Sequence, residues 1–172
     1  MICPDSGHVY AHEAGSIENT GHKLVPLPST DGKISAEQIR EVAASYYNSG
    51  EPNYICEPKM VYISFPTEWG TIYSEQELRE IRKVCDEYEM YLFADGARLG
   101  YGLGSVKNDL TLEKMAELTD VFYIGGTKCG ALFGEALVIT NKKLARKFRT
   151  YMKQNGAFWQ KDGFLGCSFV PC

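Results

Sequence analysis

The sequence predicts a three-layer α-β-α fold, in which a mostly parallel mixed sheet lies between layers of helices. Strand and helix patterns alternate along the 172 residues, which is typical of β-α-β units. Residues 60–65 (MVYISF) and 121–124 (VFYI) are continuous apolar runs, as expected for strands buried on both faces of a parallel sheet. Residues 35–38 and 74–77 have the Ser-x-x-Gln and Ser-x-x-Glu spacing of a capping box, which marks the start of a helix.

The other elements follow from the same kinds of pattern. Apolar residues recur at three- and four-residue spacing in both capped helices, which predicts one buried face in each. Residues 8–11 are aromatic and β-branched and favour extended chain. The remaining predicted elements are strands at residues 23–27, 90–94 and 135–140, a short helix around residues 112–116, and a basic helix from Asn141 to about Asn155.

Composition limits the classes of function. The chain is 44% apolar and 23% charged, as is usual for a globular domain, and its formal net charge is −4. The 18 lysines and arginines form no basic stripe, so no nucleic-acid partner is predicted. No apolar run approaches the length of a membrane span, so no membrane partner is predicted. Six single cysteines without a CxxC pair favour free thiols in a cytoplasmic protein.

Both ends of the chain are abrupt. The sequence begins directly before a histidine motif, and residues 163–172 form an apolar run that resembles the start of a helix. We therefore expect a fragment of a longer protein. The expected organisation is a partial large domain over residues 1–161 and the beginning of an unfinished C-terminal segment over residues 162–172.

Three polar segments directly follow predicted strands. They are residues 66–70 (PTEWG), 95–98 (DGAR) and 125–128 (GGTK). Ligands of parallel α/β sheets bind beyond the carboxyl ends of the strands, so these segments form the candidate site. The glycines of residues 100–104 invite a dinucleotide-binding interpretation. However, the third glycine comes one residue early and no apolar helix follows, so a loop is predicted.

Lys128 is the first candidate for chemistry. Small residues surround it, which leaves room for a planar ligand, and lysine is the usual nucleophile in Schiff-base formation. A surface lysine in a turn is the simpler alternative. A phosphate loop is a third, but Cys129 stands where that motif requires serine or threonine.

Asp95 and Arg98 are the next candidates. Asp95 ends an apolar strand. An aspartate at this place is often a helix cap, a metal ligand or a residue that takes part in phosphate chemistry. Gly96 and Ala97 are small enough to lie against a flat ligand, and the guanidinium of Arg98 suits a carboxylate.

His8 and His12 have a spacing that suits zinc on a helix. Extended chain at Val9 and Tyr10 would separate the two rings, and no third ligand is apparent, so no metal site is predicted. The other interpretations of His8 are an aromatic ring that stacks on a ligand and a plain structural histidine.

Together these segments resemble the threonine aldolase and β-eliminating lyase family of fold-type I pyridoxal-phosphate (PLP) enzymes. Each motif alone is weak, but their order matches the family over nearly the whole chain, to about Lys161. The matching pieces are His8 with residues 12–15, then residues 32–34, 63–74, 92–103, 120–139 and 151–157.

The resemblance implies a PLP-binding large domain and a role for each candidate. Lys128 would carry the cofactor as a Schiff base, and Asp95 would pair with the pyridine nitrogen. His8 would stack on one face of the ring, with Ala97 against the other. Thr127 would hydrogen-bond the cofactor.

The implied reaction is the retro-aldol cleavage of a β-hydroxy-α-amino acid, with L-threonine or L-allo-threonine giving glycine and acetaldehyde. Arg98 would bind the substrate carboxylate, and His8 is a candidate for the base or for the group that holds a water acting as base. Lys153 falls where the family has a basic residue facing a neighbouring subunit, and a homodimer or homotetramer is implied for the full-length protein.

Two departures from the family pattern bear on this reaction. Many threonine aldolases have a histidine where this chain has Glu68, which leaves the base unassigned. The phosphate-binding loop and the C-terminal domain of the family have no counterpart in these residues. β-Elimination or transamination with the same cofactor, and a catalytically incompetent fragment, therefore remain as alternatives.

Overall fold

A six-stranded sheet organises residues 1–157, which are the residues that the computed structural model describes. The strand order is β2-β1-β3-β4-β5-β6; the first five strands are parallel, and β6 runs antiparallel to β5. The strands are β1 Ile2–Pro4, β2 Val25–Leu27, β3 Met60–Ser64, β4 Tyr91–Asp95, β5 Val121–Gly125 and β6 Glu135–Ile139. The prediction of a mostly parallel mixed sheet is confirmed.

Eight α-helices and one 3-10 helix (Pro52–Tyr54) accompany the sheet within residues 1–157. The α-helices are α1 His8–Ala11, α2 Ser16–Asn19, α3 Ala36–Tyr47, α4 Glu75–Glu87, α5 Leu99–Leu103, α6 Leu112–Leu118, α7 Lys142–Ala145 and α8 Phe148–Gln154. No helix in the described residues is long and apolar enough to cross a membrane.

Both predicted capping boxes are present. The Ser35 hydroxyl accepts a hydrogen bond from the backbone N–H of Gln38, whose side chain accepts one from the backbone N–H of Ser35. Ser74 and Glu77 form the same reciprocal pair at the start of α4. These bonds satisfy backbone N–H groups that have no partner within a helix.

One face of the sheet carries the main core. Alternate strand residues such as Ile63, Leu92 and Phe122 pack there against α3, α4 and α6, and each is at most 1% exposed. We call this the packed face. Side chains alternate along a strand, so the intervening residues point to the opposite face.

The opposite face, here called the site face, is covered differently. Tyr62 and Phe93 stack on it with ring centroids 5.3 Å apart. The short helices α1 and α2 contribute Val9 and Ile17 to this second cluster, which also contains Cys3.

Three predictions of local structure are wrong, and one strand was missed. Residues 8–11 form helix α1 rather than extended chain, because burial of Val9 outweighs its β-propensity. Residues 100–104 are largely helical, in α5, and the predicted helix over residues 141–155 is broken at Lys147, which has a left-handed φ of 66°. Strand β1 was not predicted at all. The predicted domain boundary at residue 161 and the segment 162–172 lie outside the described residues.

Candidate active site

A cleft of about 190 Å³ lies where β3, β4 and β5 end. It brings together five of the residues that the sequence singled out: His8, Asp95, Ala97, Arg98 and Lys128. The other residues that line the cleft are Glu13, Ser64, Pro66, Glu68, Tyr123 and Glu135.

Asp95 is the most buried charged group of the cleft, at 7% exposed. One carboxylate oxygen accepts a hydrogen bond of 2.9 Å from the backbone N–H of Ala97, and the other accepts one from the hydroxyl of Tyr62. The hydroxyl of Tyr123 also faces this carboxylate. Burial, together with the adjacent carboxylate, raises the pKa of Tyr62 and of Tyr123, so both hydroxyls remain protonated donors.

Two glycines lock the turns after β4 and β5 together. The backbone N–H of Gly125 donates to the carbonyl oxygen of Gly96 at 2.9 Å. A Cβ atom on Gly96 would lie 1.8 Å from the carbonyl oxygen of Tyr123, and one on Gly125 would lie 2.3 Å from that of Ala97. Only glycine permits such close backbone approach. The backbone turns that carry Asp95 and Lys128 are therefore held in a fixed relation.

Lys128 follows β5 in a tight turn, in which the backbone N–H of Cys129 donates to Gly126 at 2.9 Å. Its side chain lines the cleft and makes no hydrogen bond or ion pair with any residue in 1–157. The amine is therefore available to a ligand. Thr127 is exposed and does not line the cleft.

His8 begins helix α1, and both its backbone and its ring are held. Its backbone N–H donates to Glu68 at 2.7 Å, and its Nδ1 atom lies 2.7 Å from a carboxylate oxygen of Glu13. Because the segment is helical, the His8 and His12 rings lie 5.3 Å apart rather than far apart. Within the described residues, no cluster of three metal-ligating side chains accompanies them.

The remaining candidates differ in position. Ala97 lies in the wall of the cleft, and Arg98 lies at its rim with an exposed side chain. Lys153 is exposed on α8 and lies away from the cleft.

Sequence reasoning missed the two tyrosines that face Asp95. Tyr62 is paired with Phe93 in the register of β3 and β4, which places it two residues before the aspartate on the neighbouring strand. The only signal in the sequence was that Tyr62 and Tyr123 occupy alternate positions of apolar strands. Sequence reasoning also assigned no role to Glu13, although this residue belongs to one of the motifs that match the family.

The family model described as beta-eliminating lyase matches residues 1–170. The chain belongs to the β-eliminating lyase family. The family predicted from the motifs is therefore confirmed.

Two curated proteins with sequences similar to this chain come from bacteria. The chain is 35% identical over 175 residues to the low specificity L-threonine aldolase of Pseudomonas sp., and 33% identical over 175 residues to that of Pseudomonas aeruginosa. Each match covers 99% of this chain and 49% of the relative. The chain thus spans about half the length of the curated relatives that it matches.

Two solved structures share the fold of this chain. Threonine aldolase from Leishmania major superposes with a TM-score of 0.84 at 48% identity, over 90% of this chain and 44% of that one. Cystalysin from Treponema denticola, which contains a pyridoxal 5'-phosphate cofactor, superposes with a TM-score of 0.65 at 14% identity, over 96% of this chain and 41% of that one. At that identity the likeness to cystalysin shows the fold alone.

The side chains of the cleft fit the cofactor that the family resemblance implied. PLP presents an aldehyde, a pyridine nitrogen and a flat aromatic ring. The cleft offers an unpaired lysine, a buried carboxylate with further lone pairs, and an imidazole held at two of its atoms. Four carboxylate side chains, one arginine and one lysine line it, so it is not a purely anionic pocket.

Proposed function

We propose that this chain forms the cofactor-binding part of a PLP-dependent lyase that cleaves β-hydroxy-α-amino acids by a retro-aldol reaction. L-Threonine or L-allo-threonine would give glycine and acetaldehyde. The single observation that carries the proposal is the convergence of Lys128, Asp95 and His8 on one cleft at the strand ends. The low-specificity threonine aldolases among the relatives support the choice of reaction.

Four residues would hold the cofactor. Lys128 would bind its aldehyde covalently, and Asp95 would accept a hydrogen bond from the protonated pyridine nitrogen. His8 and Ala97 would enclose the ring. When bound, PLP withdraws electrons from the substrate and so stabilises the negative charge left at Cα when the Cα–Cβ bond breaks.

Other side chains would handle the substrate and the proton. The guanidinium of Arg98 can bind the substrate carboxylate through two parallel hydrogen bonds. His8, which Glu13 holds at Nδ1, would accept the proton of the substrate β-hydroxyl directly or through a water molecule. Thr127 would reach the cofactor only after its side chain turns from solvent towards the cleft.

The proposal extends to domain organisation and assembly. Residues 1–161 would be part of its PLP-binding domain, and residues 162–172 the beginning of a further segment. A homodimer or homotetramer would bring Lys153 to the cofactor of a neighbouring subunit. The four cysteines in the described residues are free thiols, which supports a cytoplasmic location.

Absorbance titration of the purified chain with PLP tests the cofactor site. We expect a visible band in the native chain that Lys128→Ala abolishes, and borohydride reduction should bleach this band and leave the cofactor covalently attached to the native chain. Lys107→Ala, which removes an exposed lysine outside the cleft, is the matched control and should keep the band. A band of equal size in Lys128→Ala would overturn the assignment of the lysine.

Product analysis distinguishes the aldolase from the second candidate, a β-eliminating lyase, which the family description favours. With L-threonine as substrate, glycine and acetaldehyde would support the aldolase, whereas 2-oxobutyrate and ammonia would support β-elimination. An aminotransferase would instead produce an oxo acid only when an amino acceptor is added. A chain that binds PLP but forms none of these products would be a catalytically incompetent fragment, which its half length supports.

A further inference from the structure

Glu68 joins two parts of the site that lie far apart in sequence. A single carboxylate oxygen, Oε1, accepts a hydrogen bond from the backbone N–H of His8 at 2.7 Å and another from the hydroxyl of Ser64 at 2.7 Å. The other oxygen, Oε2, is buried and has no partner among residues 1–157. Both hydrogen bonds of the Glu68 carboxylate are therefore accepted by Oε1, the atom that holds His8.

Helix α1 needs such a contact from outside. It is four residues long, and its N-cap residue is Gly7, which provides no side chain to accept a hydrogen bond. The first N–H groups of a helix have no partner within it, and a single turn is not stable by itself. The carboxylate of Glu68 therefore serves as the missing cap, from 60 residues away in sequence.

The loop that carries Glu68 is braced on one side by the turn before α3. The side-chain hydroxyl of Thr71 donates to the carbonyl oxygen of Asp31 at 2.6 Å. Gly32 has a φ of +87°, and a Cβ atom there would lie 2.7 Å from the hydroxyl oxygen of Thr67.

The same loop is braced on the other side by helix α5. A Cβ atom on Gly102 would lie 2.7 Å from the ring of Phe65 and 3.0 Å from Pro66. Glu68 is thus presented on a rigid support, as a group that fixes another residue must be.

We propose that Glu68 is a positioning residue, which fixes the backbone of His8 so that the imidazole has one defined place in the cleft. Glu13 fixes the same residue at Nδ1 of the ring. Two carboxylates therefore hold His8 at two atoms, one on the backbone and one on the side chain. The use of His8 in catalysis rests on the proposed function, but the contact with Glu68 does not.

Amide hydrogen exchange at residue 8, measured by NMR on the cofactor-free chain, tests the contact directly. Loss of a hydrogen bond to a charged acceptor should accelerate exchange of this N–H about tenfold or more. We expect this acceleration in Glu68→Ala and in Glu68→Asp, whose carboxylate is one methylene too short to reach. Glu68→Gln keeps an oxygen at the same place, as a neutral acceptor, so exchange should be slower than in Glu68→Ala and Glu68→Asp.

Ser64→Ala is the matched control. It removes the other donor to the same oxygen and should leave exchange at His8 within about threefold of native. Amides of α4 report whether a variant is folded, and Glu68→Asp retains the test if Glu68→Ala does not fold. Unchanged exchange at His8 in both Glu68→Ala and Glu68→Asp would overturn the inference.

Circular dichroism of bound PLP gives the functional readout. A fixed His8 should induce a signal in the visible band that Glu68→Asp weakens and Glu68→Gln keeps. Absence of any visible band in the native chain would count against the proposed function, while leaving the exchange result intact. The two failures are therefore distinguishable.

Discussion

The same strands form both faces of the sheet, but one face carries an apolar core and the other carries buried polar groups. On the packed face, β3 and β4 present Ile63 and Leu92, which are completely buried against long capped helices. On the site face, the intervening residues Tyr62 and Asp95 form a polar pair beneath helices of a single turn. Apolar packing on one face thus supports a buried carboxylate and its donors on the other, which is where a ligand can use them.

The largest expected effect is on the packed face. Ile81→Ala, in α4, removes a side chain that is 1% exposed and leaves a cavity in the main core. We expect a loss of about 2–5 kcal/mol in the free energy of unfolding, measured by urea denaturation.

Leu137→Ala is the matched control for that loss. Leu137 is 42% exposed on β6 and points away from the packed face, so its truncation should cost no more than about 1 kcal/mol. Equal losses in the two variants would show that the faces do not differ in packing.

An intermediate effect is expected from Tyr62→Phe, on the site face. This change leaves a buried oxygen of Asp95 without its hydroxyl donor. We expect a loss of about 1–3 kcal/mol in the free energy of unfolding. Tyr47→Phe, at an exposed tyrosine that donates to Glu57, should change it by no more than about 0.5 kcal/mol. An unchanged free energy of unfolding in Tyr62→Phe would mean that Asp95 does not depend on this donor.

The smallest effect concerns local opening of the two faces. Burial raises the pKa of Cys3, on the site face, to about 11, and that of Cys85, in the main core, to about 12. Neither thiol should react with a maleimide at pH 8 until the structure opens locally, whereas the exposed Cys56 should react at once.

Peptide mass spectrometry can follow each thiol separately. We expect Cys3 to be labelled about tenfold faster than Cys85, because one-turn helices open more readily than long ones. Faster labelling of Cys85 than of Cys3 would show that the packed face opens more readily than the site face.

The sequence predicted more of the fold than of the site. It identified the two capped helices and the apolar strands correctly, and it singled out five of the residues that line the cleft. It missed Tyr62 and Tyr123, because a tyrosine in an apolar strand has the same local pattern whether it packs in a core or faces a carboxylate. It assigned no contact to Glu68, because the partner lies 60 residues away.

Sequence reasoning also failed to predict the short elements. Strand β1 has only three residues, yet it lies between β2 and β3 and is completely buried at Ile2 and Cys3. Such a strand has no periodicity to detect, since its stability comes from the strands on either side. Helix α1 was missed for the same reason, because its stability comes from Glu68 and from the burial of Val9.

The sequence by itself determined the features that depend on neighbouring residues: the capping boxes, the apolar runs, and the polar turns that follow the strands. Such features rest on contacts three or four residues apart or on the alternation of strands, so a linear pattern contains them. Only the tertiary structure decided which side chains meet. The register of β3 with β4 brings Tyr62 to Asp95, and the braced loop brings Glu68 to His8. These contacts depend on how distant segments pack, and no local pattern specifies that packing.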